Sequence, residues 1–345
     1  MDITALLHEA LRQGASDLHL AAGRPPMLRV HGDLRNLGES TVGQEAVQAL
    51  LQPLLSAAPQ IRAQALHDLD FSCEVGGLAR CRVHLFSQRA GPAAVLRLVP
   101  SAIRSLHSLQ APPVLADLAL RPHGLVLVAG STGSGKSTTL AAMIDHRNRG
   151  HRGHILTIED PIEFIHESRL SLVNQREVHT HTMSYETALR SAMREDPDVI
   201  ALGELRDSDS IRLALSAAET GHLVLATLHA SSAAQAIDRM VDGFDAVEKA
   251  WVRALLSESL RGVVYQVLCK TADGQGRMAA WEVLVGTPAV AHLIREGKAA
   301  QLVSVMQSGL SQGMQTLDQH LGQLLRSGHI SPQYARSLAR FPENL

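Results

Sequence analysis

The chain has 345 residues, enough for two domains of ordinary size, each able to bury a core of its own. At 45% hydrophobic and 19% charged residues its composition is globular, which excludes a disordered or fibrous chain. A net charge of −2 and only 3% aromatic residues argue against a nucleic-acid motor, which needs basic grooves and stacking rings.

Ile3, Leu6, Leu7, Ala10 and Leu11 follow the i, i+3, i+4 spacing of an amphipathic helix, which Gly14 stops. Asp2 and Glu9 stand where a signal peptide would carry basic residues, so none is expected. Alternation at 17–20 predicts a strand, and Arg24-Pro25-Pro26 a turn into a second around 27–30. Residues 41–58 read as a helix. Strands at about 66–75 and 78–86 are joined by Gly76-Gly77 as a hairpin, and 93–99 is a further strand. These elements predict a small α+β domain over 1–105, followed by a linker at 106–118 around Ala111-Pro112-Pro113.

Beyond the linker, 124–129 is a strand of nearly continuous apolar residues, as in a parallel sheet covered on both faces. Similar strands recur at 154–158, 198–202 and 223–228 with helical stretches between them, which predicts an α/β domain over 119–287. From 288 to 345 the pattern is helical. No apolar run approaches the roughly 20 residues that span a bilayer. Cys73, Cys81 and Cys269 lie far apart with no C-x-x-C pair, as expected of a reducing compartment. A cytoplasmic chain without a transmembrane segment is the expectation.

Gly130-Ser131-Thr132-Gly133-Ser134-Gly135-Lys136-Ser137 matches G-x-x-x-x-G-K-[ST] between an apolar strand and the helical run that begins with Thr138. The glycines let backbone N–H groups close around a β-phosphate at the positive end of that helix. Lys136 is expected on the β- and γ-phosphates of ATP and the Ser137 hydroxyl on Mg²⁺.

Hydrolysis needs carboxylates at the carboxyl ends of neighbouring strands. The strand at 154–158 runs into Glu159-Asp160-Pro161-Ile162-Glu163, and that at 198–202 ends at Gly203-Glu204. One carboxylate should hold Mg²⁺ and another orient or deprotonate the attacking water. The reading favoured is Glu163 as base and Glu204 on the Mg²⁺ side; the reverse assignment fits the sequence too. A carboxylate ending a buried strand is costly unless paired or coordinated, which singles out Glu204. His222 and His229 bracket the strand at 223–228; His229, at the ligand-facing end, is placed to sense the γ-phosphate, whereas a satisfied core position is the other reading of His222. His179-Thr180-His181 has no supporting ligands and reads as loop.

Alternation puts Arg80, Arg82 and His84 on one strand face, and Arg97 shares a face with Val95 and Val99. Arg190 and Arg194 stand i, i+4 on an expected helix. Such arginines form either a solvated face or a set that neutralises transition-state charge on a nucleotide held elsewhere.

The residues carry a resemblance to the secretion ATPase superfamily, and within it to the retraction ATPases of type IV pili. It runs over nearly the whole chain: GASDLHL at 14–20, RVHGDLR at 29–35, GSTGSGKSTTLAAM at 130–143, ILTIEDPIEFIHES at 155–168, REDPDVIALGELRD at 194–207, AAETGHLVLATLHASSA at 217–233 and GMQTLD at 313–318. The resemblance implies a PAS-like first domain, a RecA-like ATPase core and a homohexameric ring. It implies that the Asp box falls on Ile158–Glu163, the Walker B carboxylate on Glu204 and the His box on His222 and His229, with interdomain and intersubunit arginines at Arg82, Arg97, Arg190 and Arg194. It further implies an inner-membrane platform protein as partner, with a paralogous retraction ATPase as a second one, and a place on the cytoplasmic side of that membrane. Retraction is the leading function. A secretion or pilus-assembly ATPase and a weakly hydrolysing accessory ring subunit are the alternatives. Where retraction ATPases carry AIRNLIRE this chain has Ala291 and His292 in place of the arginine and asparagine, and Cys81 stands where phenylalanine is common.

Overall fold

The structure is a computed structural model and describes residues 2–30, 32–56, 68–99, 102–274 and 276–345. Two compact units emerge: one runs to Ala102 and includes Pro161–Ile165, and the other comprises Ile103–Asp160 and His166–Leu345.

The first unit follows the expected α+β pattern. It is built from α1 (Ile3–Arg12), β1 (Asp17–Ala21), β2 (Met27–Val30), β3 (Asp33–Asn36), α2 (Gln44–Ser56), β4 (Asp68–Val75), β5 (Ala79–Gln88) and β6 (Gly91–Val99). The side chain of Asp2 accepts the N–H of Thr4 and so starts α1. The strands pair antiparallel in the order β3-β2-β1-β6-β5-β4. In β5, Ala79, Cys81, Val83 and Leu85 are buried and the residues between them are half-buried, the period of two read from the sequence. That buried row joins Leu6 and Leu7 of α1 and Leu50 and Leu54 of α2 in one core, each leucine contributing about 1.5–3 kcal/mol. Cys73 and Cys81 are register partners across β4 and β5, both buried. Strand β3 was not foreseen; all four of its residues are exposed, so no apolar alternation marks it. Of the expected elements, residues 57–58 of the second helix and 66–67 of the third strand lie outside the described residues.

The second unit begins with α3 (Val114–Ala119), β7 (Gly124–Ala129), α4 (Lys136–Gly150), β8 (His154–Glu159), β9 (Leu172–Glu177), α5 (Tyr185–Ala192), β10 (Val199–Leu202), α6 (Ser208–Glu219) and β11 (Leu223–Leu228). It continues with α7 (Ala233–Asp242), α8 (Ala246–Ser259), β12 (Leu260–Lys270), β13 (Arg277–Val285), α9 (Pro288–Arg295), α10 (Leu302–Ser308), α11 (Leu317–Arg326) and α12 (Pro332–Leu338). The seven strands lie in the order β13-β12-β7-β11-β10-β8-β9. All pairs are parallel except β12 with β13. Every residue of β7, β10 and β11 is buried, as their unbroken apolar runs require. The parallel register turns the carboxyl ends of β7, β8, β10 and β11 toward one edge of the sheet, where ligands of such sheets bind.

Two expectations need correcting. Helix α5 ends at Ala192, and Arg194 falls in the turn that follows, its N–H bonded to the Ser191 carbonyl at 2.9 Å, so Arg190 and Arg194 do not share one helix face. Strands β9, β12 and β13 were not foreseen. β9 is polar and largely unburied, while the apolar stretches of β12 and β13 carry no clean period of two because most of their residues are buried on both faces.

Candidate nucleotide-binding site

Gly130 to Gly135 join β7 to α4 and leave Ser131, Thr132 and Gly133 exposed at the turn. Gly135 has φ +90° and precedes the first helical residue, Lys136; a side chain there would be strained and would stand 3.0 Å from the Nε2 of Gln266. At Gly130 an added Cβ would lie 2.7 Å from the Gln266 carbonyl. These close approaches require glycine at both positions and bring the chain tight against β12 before it enters α4, whose N-terminus is the kind of end that binds anions. Ser137 and Thr138 are half-buried in the first helical turn.

The loop is held from below by β12. Gln266, 1% exposed, accepts the Thr139 hydroxyl at 2.7 Å and donates to the Ser134 carbonyl at 2.6 Å. One amide thereby fixes both the loop and the helix it starts. A buried amide satisfied on both ends costs little, whereas either partner left alone would cost about 1–3 kcal/mol.

Lys136 is buried, and its Nζ donates to the carbonyls of Gly130 and Ser131 at 3.0 Å each. The same Nζ lies 3.5 Å from His229 Nδ1. On its other side His229 Nε2 is 2.7 Å from Glu204 Oε1. An ammonium can only donate, so Nδ1 accepts and Nε2–H points at the carboxylate. The second Glu204 oxygen takes a 2.6 Å bond from Arg206 Nε, and the same guanidinium reaches Asp160 at 3.7 Å. The carboxylate at the end of β10 is thus paired twice. The Glu204 hydrogen bond raises the Arg206 pKa further. Thr227, on β11, donates to the Gly203 carbonyl and fixes the strand end from which Glu204 projects.

Tyr185 closes this cluster from α5. An added Cβ at Gly203 would sit 2.8 Å from its hydroxyl, and burial, then the charge of Asp160, push the phenol pKa up. Glu159 accepts the Thr157 hydroxyl at 2.7 Å and the Gln175 amide at 3.2 Å.

The structure therefore brings Lys136, Glu204 and His229 together beside the loop residues Ser131, Thr132, Gly133, Ser134 and Gly135 and the helical residues Ser137 and Thr138. His222 is elsewhere: it stands just before β11, at the opposite edge of the sheet, its Nδ1 3.1 Å from the Ala217 carbonyl. Glu163 belongs with the first unit through Pro161–Ile165. Arg82 and Arg97 are register partners across β5 and β6; Arg97 bonds the buried Asp17 at 2.9 Å and Arg82 approaches Asp70 at 3.9 Å. Arg190 is exposed and paired with Glu186 at 2.8 Å. Among the described residues no cluster of three or more His, Cys, Asp or Glu could hold a metal, and no helix is long and apolar enough to cross a membrane. Sequence reasoning missed Arg206, Gln266 and Tyr185. A glutamine inside the apolar run of β12 was the one available signal, because a buried amide needs partners.

Comparison with known proteins agrees with this fold. The family model described as "Type II/IV secretion system protein" matches residues 1–333. The type IV pilus retraction ATPase PilT of Pseudomonas aeruginosa is 54% identical over 344 residues, with all of both chains covered. The type IV pilus ATPase PilU of the same organism is 41% identical, covering 96% of this chain and 87% of its own. A crystal structure of the pilus retraction motor PilT with bound ADP superposes with a TM-score of 0.88 at 40% identity, covering 100% of this chain and 99% of that one. A match over almost the entire length, in sequence and in fold, leaves one conclusion: the chain belongs to the type II/IV secretion system protein family.

Proposed function

We propose that this chain is an ATP-hydrolysing motor that powers retraction of type IV pili. In this reading it works as a homohexamer on the cytoplasmic side of the inner membrane and acts on the pilus platform protein there. The observation that carries the reading is the bonded run from Lys136 through His229 to Glu204 beside the phosphate-binding loop. The greater identity to PilT than to PilU, 54% against 41%, favours the retraction motor over its paralogue, and a PilU-like ATPase is a candidate partner. The division into 1–105, 106–118, 119–287 and 288–345 goes with this reading.

The loop's N–H groups and Lys136 would grip the β- and γ-phosphates. Ser137 and Glu204 supply the oxygen donors that Mg²⁺ prefers, and the ion would compensate phosphate charge. Glu163 is assigned as the base: it takes a proton from water as the oxygen bonds to the γ-phosphorus and the bond to the β–γ bridging oxygen breaks. His229, holding Glu204 with one nitrogen and facing Lys136 with the other, is placed to register whether the γ-phosphate is present. Arg82, Arg97, Arg190 and Arg194 are assigned to charge neutralisation across domains or subunits, where an arginine is worth about 10³ to 10⁵ in rate. His222 is retained in the assignment on the resemblance alone.

Surface pili counted in a strain lacking this gene test the function. Excess pili, reversed by the wild-type gene and not by Glu204→Gln, are expected. Bald cells would mean an assembly motor. Unchanged numbers would mean the accessory reading, which one feature favours: Ala291 is half-buried and His292 exposed on α9, where retraction ATPases carry arginine and asparagine respectively.

A further inference from the structure

Glu282 lies on β13, 5% exposed, and its two oxygens serve two different helices. Oε1 accepts the N–H of Ala233 at 2.7 Å, and Oε2 accepts the N–H of Leu317 at 3.4 Å. Ala233 is the first residue of α7 and stands four positions after His229; Leu317 is the first residue of α11 in the C-terminal helical region. The first N–H groups of a helix have no partner inside it. Here each helix's own cap is already used further in, Ser232 by Gln235 and Thr316 by Gln319. The first N–H of both helices therefore depends on Glu282.

Only a carboxylate can do this. Glutamine would present one acceptor and one donor, and the donor would face a second N–H. Burial penalises the charge and raises the Glu282 pKa; the two N–H groups and Arg340 oppose that, while Asp318 adds to it. The seam around Glu282 is otherwise tied on the α11 side, where Gln315 exchanges backbone bonds with Val283 at 2.8 and 3.1 Å. A cavity of about 810 Å³ lies against the junction, lined by Ser231, Ser232, Glu282, Asp318, Arg340 and Phe341 among others. Tight packing transmits displacement and resists it; a cavity here leaves α7 and α11 room to shift together.

We propose that Glu282 is a positioning residue that couples the loop carrying His229 to the C-terminal helices, so that a change at the nucleotide reaches α11 through one shared carboxylate. The proposal rests on the reading of His229 as γ-phosphate sensor. It requires α7 and α11 to respond to nucleotide jointly, and the response of α11 to need both bonds.

Hydrogen–deuterium exchange on the full chain, with and without Mg²⁺ and a non-hydrolysable ATP analogue, tests it at two segments, 233–236 and 317–320. In the wild type, nucleotide should change exchange about tenfold at both, the scale set by one net hydrogen bond. In Glu282→Gln the first segment should still respond and the second should not, with kcat reduced about tenfold and KM for ATP unchanged. Ala233→Pro keeps the carboxylate and removes the donor. Proline is tolerated at a first helical position, and Ser232 already has the extended backbone that a following proline needs. It should uncouple α11 in the same way, and it decides the matter where Glu282→Gln fails to fold. A wild-type response confined to 233–236, or an undiminished response of 317–320 in the folded variants, overturns the link and leaves the sensor reading standing. No wild-type response at either segment overturns both.

Discussion

His229 donates to Glu204 across 2.7 Å while its other ring nitrogen faces the Lys136 ammonium at 3.5 Å, so one imidazole spans the phosphate-binding loop and the carboxylate at the end of β10. Removing the ring leaves the loop, its glycines and Lys136 in place. His229→Ala should lower kcat for ATP by about 10² and move the dissociation constant of a fluorescent ADP by less than about threefold. Steady-state turnover and a fluorescence titration on the same preparation check both halves.

Gln266 acts on binding instead. Its amide holds the Ser134 carbonyl and the Thr139 hydroxyl, both of which lose a buried partner in Gln266→Ala. Nucleotide affinity should fall about tenfold, with kcat at saturating ATP changed far less. Gln266→Glu keeps the acceptor for Thr139 and sets a carboxylate against the Ser134 carbonyl, so it should not restore affinity.

Arg206 neutralises Glu204 and reaches Asp160. Arg206→Ala leaves a half-buried carboxylate with His229 as its remaining bonded partner among the described residues. Turnover should fall at least tenfold, and Arg206→Lys should recover only part of it, because an ammonium lacks the planar fork that reaches both acids.

Arg97 is anchored to Asp17 within the first unit, with 65% of its side chain exposed. Arg97→Ala should cut turnover by about 10³ with little change in nucleotide affinity, the signature of transition-state neutralisation. Unchanged turnover assigns the residue to a solvated face.

His166 links stability to pH. Burial drives its pKa down to about 4, so the folded chain holds it neutral where an unfolded chain, with the ordinary value of 6.5, binds a proton. Folding stability therefore rises with pH between those values; the contribution is complete above 6.5 and is lost as pH falls through 4. Between pH 7.5 and 5 the wild type should lose about 2 kcal/mol more than His166→Leu, measured by urea unfolding at each pH. His320, also held near 4 by burial and accepting the backbone N–H of Trp281 at 3.0 Å, adds in the same direction.

The loop at 130–137 was legible because glycine and lysine spacing, an apolar strand before it and a helix after it are local patterns. Glu204 and His229 were legible for a related reason, a polar residue ending an unbroken apolar run. Gln266 lies 132 positions from the carbonyl it holds, and Glu282 contacts Ala233 across 49 and Leu317 across 35. No periodicity carries that information. What the sequence does display is a lone polar residue inside each apolar strand, and burial makes such a residue expensive unless something answers it. Arg194 misled for the opposite reason. Its spacing from Arg190 suits a helix, but the chain leaves α5 at Ala192, ahead of Asp196, whose φ of +50° has left the right-handed helical region before Pro197.

The buried thiols make the chain its own reporter of opening. Burial pushes Cys73 and Cys269 up to about 11 and Cys81 to about 12, so at neutral pH none offers the thiolate that alkylating reagents attack. Two of these thiols face each other in the first unit and the third lies in the second. Under mild denaturant, a chain that gains two labels has opened its first unit, and a chain that gains one has opened its second; intact-mass spectra then time the two events separately in a single tube.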